Sequence, residues 1–238
     1  MGQILFKDRP EFSRNNVTRK MFKSKWEYTK AVSQWHFDPT RDDSDAFKVF
    51  MRVEGDWKDA LNELNFEIKV GLTNYGYKGK DHDEIIANDF IEWGYPENLI
   101  QYERSYNVPP KLMKVAEQLK LKYPDVRIHR QMPGMVAPIH VDTFCSHPAM
   151  DKDPTLDVSL MRRFVIQLTD WEWGHFWHFG NKPWCQWKAG DVVYFESRDI
   201  LHSTANAGKS PRLTMIVTGW MTPETIELVE GDFKIVRI

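Results

Sequence analysis

From about residue 126 the spacing of apolar residues changes from helical to strand-like. VRIHRQM, VAPIHVD, RRFVIQLT, HFWHF, WCQWK, DVVYFE and PRLTMIVTGW are short runs rich in β-branched and aromatic residues. PG, EWG, GNKP, KAG and NAGKSP interrupt them with the residues that turns demand. Short strands at such spacing suggest a sandwich, barrel or jelly roll, so the chain is expected to be mainly β (α+β).

Upstream, two stretches read as helices. DWKDALNELNFEIK sets Trp57, Leu61, Leu64 and Ile68 on one face. PPKLMKVAEQLKLKYP opens on Pro109 and Pro110 and is followed by Pro124, with Leu112, Val115, Ala116, Leu119 and Tyr123 as its apolar stripe. HDEIIANDFIEW reads as a further short helix, and TNYGYKGKDHD as a surface loop able to cover a site. The first 50 residues look irregular, and residues 1–30 carry eight Lys or Arg against three acids. That charge suits either a solvated arm or a contact with an anionic partner. No repeat, low-complexity segment or composition break marks a linker. One domain is expected over 1–238: helical support and substrate access in 1–125, a β core in 126–220 and an extension in 221–238.

Composition excludes several classes of function. A formal net charge of −2 on 238 residues gives no general pull toward nucleic acid or membrane. Cys145 and Cys185 are too few for a disulfide framework, and no stretch approaches the roughly 18 apolar residues of a membrane span. A soluble, intracellular, cytoplasmic protein with no membrane partner is expected.

The chemistry concentrates in PGMVAPIHVDTF, residues 133–144. Strand alternation puts Val136, Pro138, His140 and Asp142 on one face and Ala137, Ile139 and Val141 on the other. An imidazole and a carboxylate therefore project together. Alone, that pattern fits a hydrogen-bonded His–Asp pair as well as a metal site. DILHSTANAGKSPRLTMIV adds His202 and, ten residues on, Arg212 with Thr214 on its face. Two imidazoles and one carboxylate make the facial triad of non-heme Fe(II) oxygenases, and an Arg pointing into a barrel needs an anion.

His140, Asp142, His202 and Arg212, in that order and spacing, resemble the HxD…H…R signature of the Fe(II)- and 2-oxoglutarate-dependent dioxygenases, over about residues 126–220. The resemblance implies a double-stranded β-helix, cupin-like, buttressed here by the N-terminal helices. It implies Fe(II) on His140, Asp142 and His202, and 2-oxoglutarate held by Arg212 with Thr214. O2 would be the oxidant and ascorbate an accessory reductant. PGMVAPIHVD, MRRFVIQL and KAGDVVYFESRDILHSTANAGKSPRL are most similar to the aspartyl/asparaginyl β-hydroxylase and free-amino-acid hydroxylase group. In that group an Arg opening the intermediate strand holds the cosubstrate's C1 carboxylate. Arg163 matches it, with Arg162 one residue out of phase and Val165 where the group has His. Retention of Asp142 favours hydroxylation over halogenation.

Other residues are weighed against plainer roles. Trp171, Trp173, Trp177, Trp184 and Trp187 read first as barrel core, though Trp177 is a candidate to wall a substrate pocket. Arg130 is a candidate for a substrate carboxylate. His175 and His178 fall on opposite strand faces and read as ordinary histidines. His147 and Cys145 stand near the expected mouth, in the long connection from Thr143 to Leu160.

The expected activity is hydroxylation of a C–H bond in an amino-acid-like small molecule or a peptide residue, releasing succinate and CO2. A nucleic-acid or nucleobase oxygenase is disfavoured because Thr218 stands where the DNA-repair branch places a second Arg. A metal-holding cupin-like module without redox chemistry is the alternative from another class, and oligomeric state is open.

Overall fold

The computed structural model describes residues 40, 45–67, 93–96, 99–142, 147, 149, 152–153 and 155–238. Within them the strands are β1 (Lys48–Glu54), β2 (Glu103–Ser105), β3 (Lys122–Gln131), β4 (Val136–His140), β5 (Met161–Gln167), β6 (His175–Phe179), β7 (Lys182–Trp184), β8 (Asp191–Tyr194), β9 (His202–Asn206), β10 (Arg212–Trp220) and β11 (Lys234–Arg237). The helices are α1 (Lys58–Asn62), α2 (Pro110–Glu117) and α3 (Pro223–Glu230). HDEIIANDFIEW, TNYGYKGKDHD, Cys145 and nearly all of the basic first 44 residues lie outside the described residues, apart from Trp93.

The eight strands from β3 to β10 pair as one long antiparallel hairpin rolled on itself: β3 with β10, β4 with β9, β5 with β8 and β6 with β7. Rolling adds the β5–β10 and β6–β9 ladders and yields two sheets, ordered β11-β1-β8-β5-β10-β3-β2 and β4-β9-β6-β7. This is a double-stranded β-helix of the jelly-roll, cupin-like kind. Strands from all three stretches of the chain join the large sheet, since β1 pairs with β8, β2 with β3, and β11 runs parallel to β1.

Alternation gives the large sheet two different faces. Phe164, Ile166, Val192, Tyr194, Met215 and Val217 point outward into a core completed by α1, α2 and α3. Ala60, Leu112, Val115, Ala116, Leu119 and Val229 supply the helical side, each buried side chain of Leu size worth about 1.5–3 kcal/mol. On the inner face Val165, Val193, Phe195 and Ile216 meet Trp177, Phe179, Trp184 and Trp187. Ring centroids at 4.6 Å for Phe179–Phe195 and 5.0 Å for Trp184–Trp187 show close aromatic packing. Trp173, grouped with this core by sequence, is 82% exposed.

Several boundaries differ from the sequence reading. α1 ends at Asn62, and Glu67 pairs with Arg104 instead of continuing a helix. Tyr123 leaves the α2 stripe because the backbone turns at Lys120 and at Tyr123 itself (φ 56° and 52°), and its ring is exposed against Trp220. Lys182 and Pro183, read as part of a turn, open β7. α3 was not anticipated, although Thr222 caps it, Pro223 starts it and Thr225 returns the cap.

Candidate metal centre

His140 closes β4 and His202 opens β9, and the two residues face each other across the ladder. Reaching that register requires an extra residue on β4 between Ala137 and His140. The bulge forms where Pro138 has no N–H to give the ladder. It shifts the alternation, so Ala137, expected on the opposite face, shares the face of His140. Asp142 follows just past the strand, its backbone N–H donated to the Ser197 carbonyl at 2.7 Å.

The side chains of His140, Asp142 and His202 each bring one potential ligand atom to within 4.8 Å of the others, the one such group among the described residues. Nδ1 of His140 lies 2.7 Å from the Pro138 carbonyl, and Nδ1 of His202 lies 3.0 Å from that of Ile200. A carbonyl only accepts, so each Nδ1 carries a proton, and in the neutral form of each ring the lone pair is left on Nε2. Asp142 is 6% exposed. Its Oδ1 accepts from Arg163 Nη1, while Oδ2 has no hydrogen-bond partner among the described residues and lies 3.9 Å from His202 Nε2. An orphaned carboxylate oxygen beside two imidazole lone pairs is costly without a cation. The donor set fits a divalent metal such as Fe(II).

Arg212 points inward from β10 at 3% exposure. Its Nη1 donates to the Phe176 carbonyl at 3.0 Å and its Nη2 to Gln131 Oε1, while Nε is enclosed without a partner. No carboxylate pairs with it among the described residues, and burial pushes its pKa down to about 9. Trp177 lies beside it, the guanidinium 5.3 Å from the ring, with Nε1 likewise enclosed and unpartnered. Thr214, also inward, donates to Gln167 Oε1 at 3.0 Å.

Arg163 and Arg162 separate by alternation. Arg163 turns inward to Asp142 and donates Nε to Thr218 Oγ1 at 3.2 Å, whereas Arg162 turns outward to Glu196 at 3.0 Å. Thr218, noted in sequence only for what it is not, thus positions Arg163. Arg130 is not brought to this site. It lies opposite Leu213 on the outward face, paired with Glu103 and 4.0 Å from the Phe66 ring centroid.

His147 is buried in the wall, Nε2 3.2 Å from the Thr218 carbonyl and its ring against Trp220. His175 is buried, bonds the Ser210 carbonyl at 2.9 Å, and burial holds its pKa low.

Sequence reasoning missed β2 and the inward residues of β3. His129 faces Thr214 across the ladder and stacks on Tyr102 at 4.0 Å. Arg104 of β2, opposite His129, donates to the Tyr106 hydroxyl at 2.8 Å and the Tyr102 hydroxyl at 2.9 Å. Burial and then the nearby Arg104, Arg163, Arg127 and Arg212 hold His129 well below its usual pKa, in the neutral form. The alternation RxHxQ in VRIHRQM carried this signal, read earlier for Arg130 alone.

No protein-family model and no curated protein sequence matches the chain. Among solved structures it is similar to SnoK, a non-heme α-ketoglutarate-dependent carbocyclase from nogalamycin biosynthesis, at 12% identity over 90% of this chain and 87% of that one (TM-score 0.45). It is similar to the viral collagen prolyl hydroxylase of Paramecium bursaria Chlorella virus-1 at 14% identity over 51% and 80% (TM-score 0.36). A cupin protein from Bacteroides fragilis matches at 15% identity over 45% and 75% (TM-score 0.30). None of these three is an aspartyl or asparaginyl hydroxylase. Similarity at this level concerns strand arrangement at most and leaves the chemistry to the residues themselves.

Proposed function

We propose that the chain is an Fe(II)- and 2-oxoglutarate-dependent oxygenase that hydroxylates a C–H bond of an amino-acid-like small molecule or a peptide residue. One observation carries this reading: Arg212 is a guanidinium buried inside the barrel with no carboxylate to answer it among the described residues, in the barrel whose His–Asp–His group has an orphaned oxygen. A structural metal site would need neither an open side nor an inward cation. A cosubstrate that chelates the metal with one end and presents a carboxylate at the other needs both.

His140, Asp142 and His202 would hold the metal, their Nε2 atoms and Oδ2 aimed by the backbone carbonyls and by Arg163. Arg212 would take the distal carboxylate of 2-oxoglutarate as a two-pronged donor, with Gln131 and the Phe176 carbonyl fixing its plane. Thr214 would add a hydroxyl. Arg163, which pairs with Asp142 and donates to Thr218, would also reach a C1 carboxylate, as the aspartyl/asparaginyl hydroxylase likeness implies. With metal and cosubstrate bound, the centre supplies oxidation of a C–H bond by O2 coupled to decarboxylation of the keto acid to succinate. The aromatic wall of Trp177, Phe179 and Phe195 keeps bulk water from it.

Anaerobic titration with Fe(II) and then 2-oxoglutarate tests the reading. A visible metal-to-ligand charge-transfer band should appear in the wild type and be lost in Arg212→Gln at the same cosubstrate concentration. Iron binding with no band would mean a metal-holding barrel with another task.

A further inference from the structure

Two glutamines flank the inward row of β10, one on β3 and one on β5, and their amides are spent differently. Gln131, opposite Arg212, accepts from its Nη2 and donates its own Nε2 to the Gln101 carbonyl at 2.9 Å. Both ends of that amide are used. Gln167, opposite Thr214, accepts the Thr214 hydroxyl proton at Oε1, 3.0 Å away, while its Nε2 is enclosed and has no partner among the described residues. The residue is 0% exposed, so bulk water does not reach that N–H. A buried donor without an acceptor costs stability, and a bound acceptor would recover it.

Position indicates which acceptor. Along β10 the inward residues run Arg212, Thr214, Ile216 and Thr218, and Thr218 holds Arg163 beside Asp142. Gln167 therefore lies on the rung between the buried guanidinium and the end that carries the metal ligands. Arg212 Nε and Trp177 Nε1 are enclosed donors too, again without partners among the described residues. Three N–H groups from three side chains suit a ligand group that only accepts, and a carboxylate with two oxygens and about four lone-pair sites is such a group. An acid in place of Gln131 would neutralise Arg212 from within the protein; the neutral amide leaves that charge to a ligand. Thr214 has a single hydroxyl proton, and Gln167 takes it.

Resting on the oxygenase reading for the identity of the ligand, we infer that Gln167 binds the distal carboxylate of the cosubstrate through Nε2, beside Arg212, and that Thr214 is the positioning residue that turns the amide oxygen away. The hydroxyl that Thr214 adds to the site thus acts through Gln167. Selectivity follows from the same arrangement. The Gln167 donor and the Arg212 charge both act on the far end of the ligand, so a keto acid without a distal carboxylate gains nothing from either.

Calorimetric titration of the full chain, loaded with Mn(II), with 2-oxoglutarate and separately with 2-oxopentanoate tests this, because the second acid keeps the keto acid end and lacks the distal carboxylate. Gln167→Met should weaken 2-oxoglutarate roughly 2- to 10-fold, the loss of one hydrogen bond. Gln167→Glu keeps an acceptor for Thr214 but sets charge against charge, and should weaken it roughly tenfold or more. Neither variant should change the affinity for Mn(II) or for 2-oxopentanoate, both of which a misfolded site would lose. Thr214→Val should cost a fewfold in the wild type and nothing further in Gln167→Met. A Thr214→Val loss of equal size in both backgrounds would mean that the hydroxyl bonds the ligand itself, and overturns the inference. So does 2-oxoglutarate binding that is absent from the wild type or unchanged in Gln167→Glu. The charge-transfer band with Fe(II) reports on the oxygenase reading separately. Binding that responds to Gln167 without any band would sink that reading and leave the carboxylate site standing, whereas a band that Gln167→Glu does not weaken sinks the inference alone.

Discussion

His140 and His202 stand directly opposite each other in the β4–β9 ladder, their ring centroids 4.3 Å apart, and each gives its Nδ1 proton to the carbonyl two residues before it. The same local device, used once at a strand's end and once at a strand's start, fixes two imidazoles that form one group with Asp142, a potential ligand atom of each within 4.8 Å of the others. Backbone geometry therefore prepares the ligand set before any ion arrives.

Removing one ligand should cost the metal and spare the fold. Loss of an outer partner of a metal ligand typically costs about 10–100-fold in affinity, and Asp142→Ala removes a ligand itself, so a larger loss is expected. Elemental analysis after dialysis should find Asp142→Ala free of iron with an unchanged circular dichroism spectrum. Aggregation with iron retained would show the residue to be structural.

Gly190 tests the roll-up of the sheets. Its φ is +87°, and a Cβ there would lie 1.8 Å from the Val53 carbonyl oxygen, whose own residue donates N–H to the Gly190 carbonyl at 3.0 Å. Gly190 N–H also bonds the Gln167 carbonyl at 2.7 Å, so β1, β5 and β8 meet at this turn. Gly190→Ala must move backbone as well as adopt a left-handed conformation, and should lose roughly 2–4 kcal/mol in denaturant unfolding.

Acid should weaken the metal-free protein through histidines buried neutral. Burial holds His129, His147 and His175 below the usual imidazole value. Below about pH 6.5 the unfolded chain takes up protons that the folded chain refuses, so stability falls as pH drops from there through the lowered folded values. Each such group contributes up to about 1.4 kcal/mol per pH unit within that window. His175→Asn should flatten the fall of the denaturation midpoint between pH 6.5 and 5.5, while leaving the value at pH 8 nearly constant if the lost ring contact with Trp187 is small.

The rolled sheet was readable because its strands alternate strongly. RRFVIQLT and PRLTMIVTGW place aliphatic residues outward against the helices and Arg163, Arg212 and Thr214 inward, as period two requires. β9 was not readable: HSTAN is polar on both faces, since its inward residues His202, Thr204 and Asn206 line a site or bond backbone rather than fill a core. The bulge at Pro138 left no periodic trace and shifted Ala137 to the other face. α1 shows the reverse limit, where Trp57, Leu61 and Leu64 have helical spacing but the edge pairing of Glu67 with Arg104 wins over continuing the helix. Arg130 looked as available as Arg163. The difference lies in Glu103, from a three-residue edge strand too short for any periodic signal.

Arg212 offers the sharpest contrast between stability and function. A guanidinium at 3% exposure with only a carbonyl and an amide oxygen as partners among the described residues destabilises the empty barrel, because burial disfavours its charge. An anion that pairs with it restores what burial removed. Metal-loaded wild type should therefore gain about 2.7 kcal/mol of stability at a 2-oxoglutarate concentration 100 times its Kd. Arg212→Gln should show no such gain at the same concentration. Trp177→Phe keeps the ring against the cation and deletes only the unpartnered Nε1. If that N–H reaches the bound carboxylate, its loss is worth about 0.5–1.5 kcal/mol, or roughly 2- to 10-fold in Kd. Thermal shift against cosubstrate concentration in the three proteins separates the contributions. An undiminished shift in Arg212→Gln would place the anion elsewhere and leave the buried cation without its explanation.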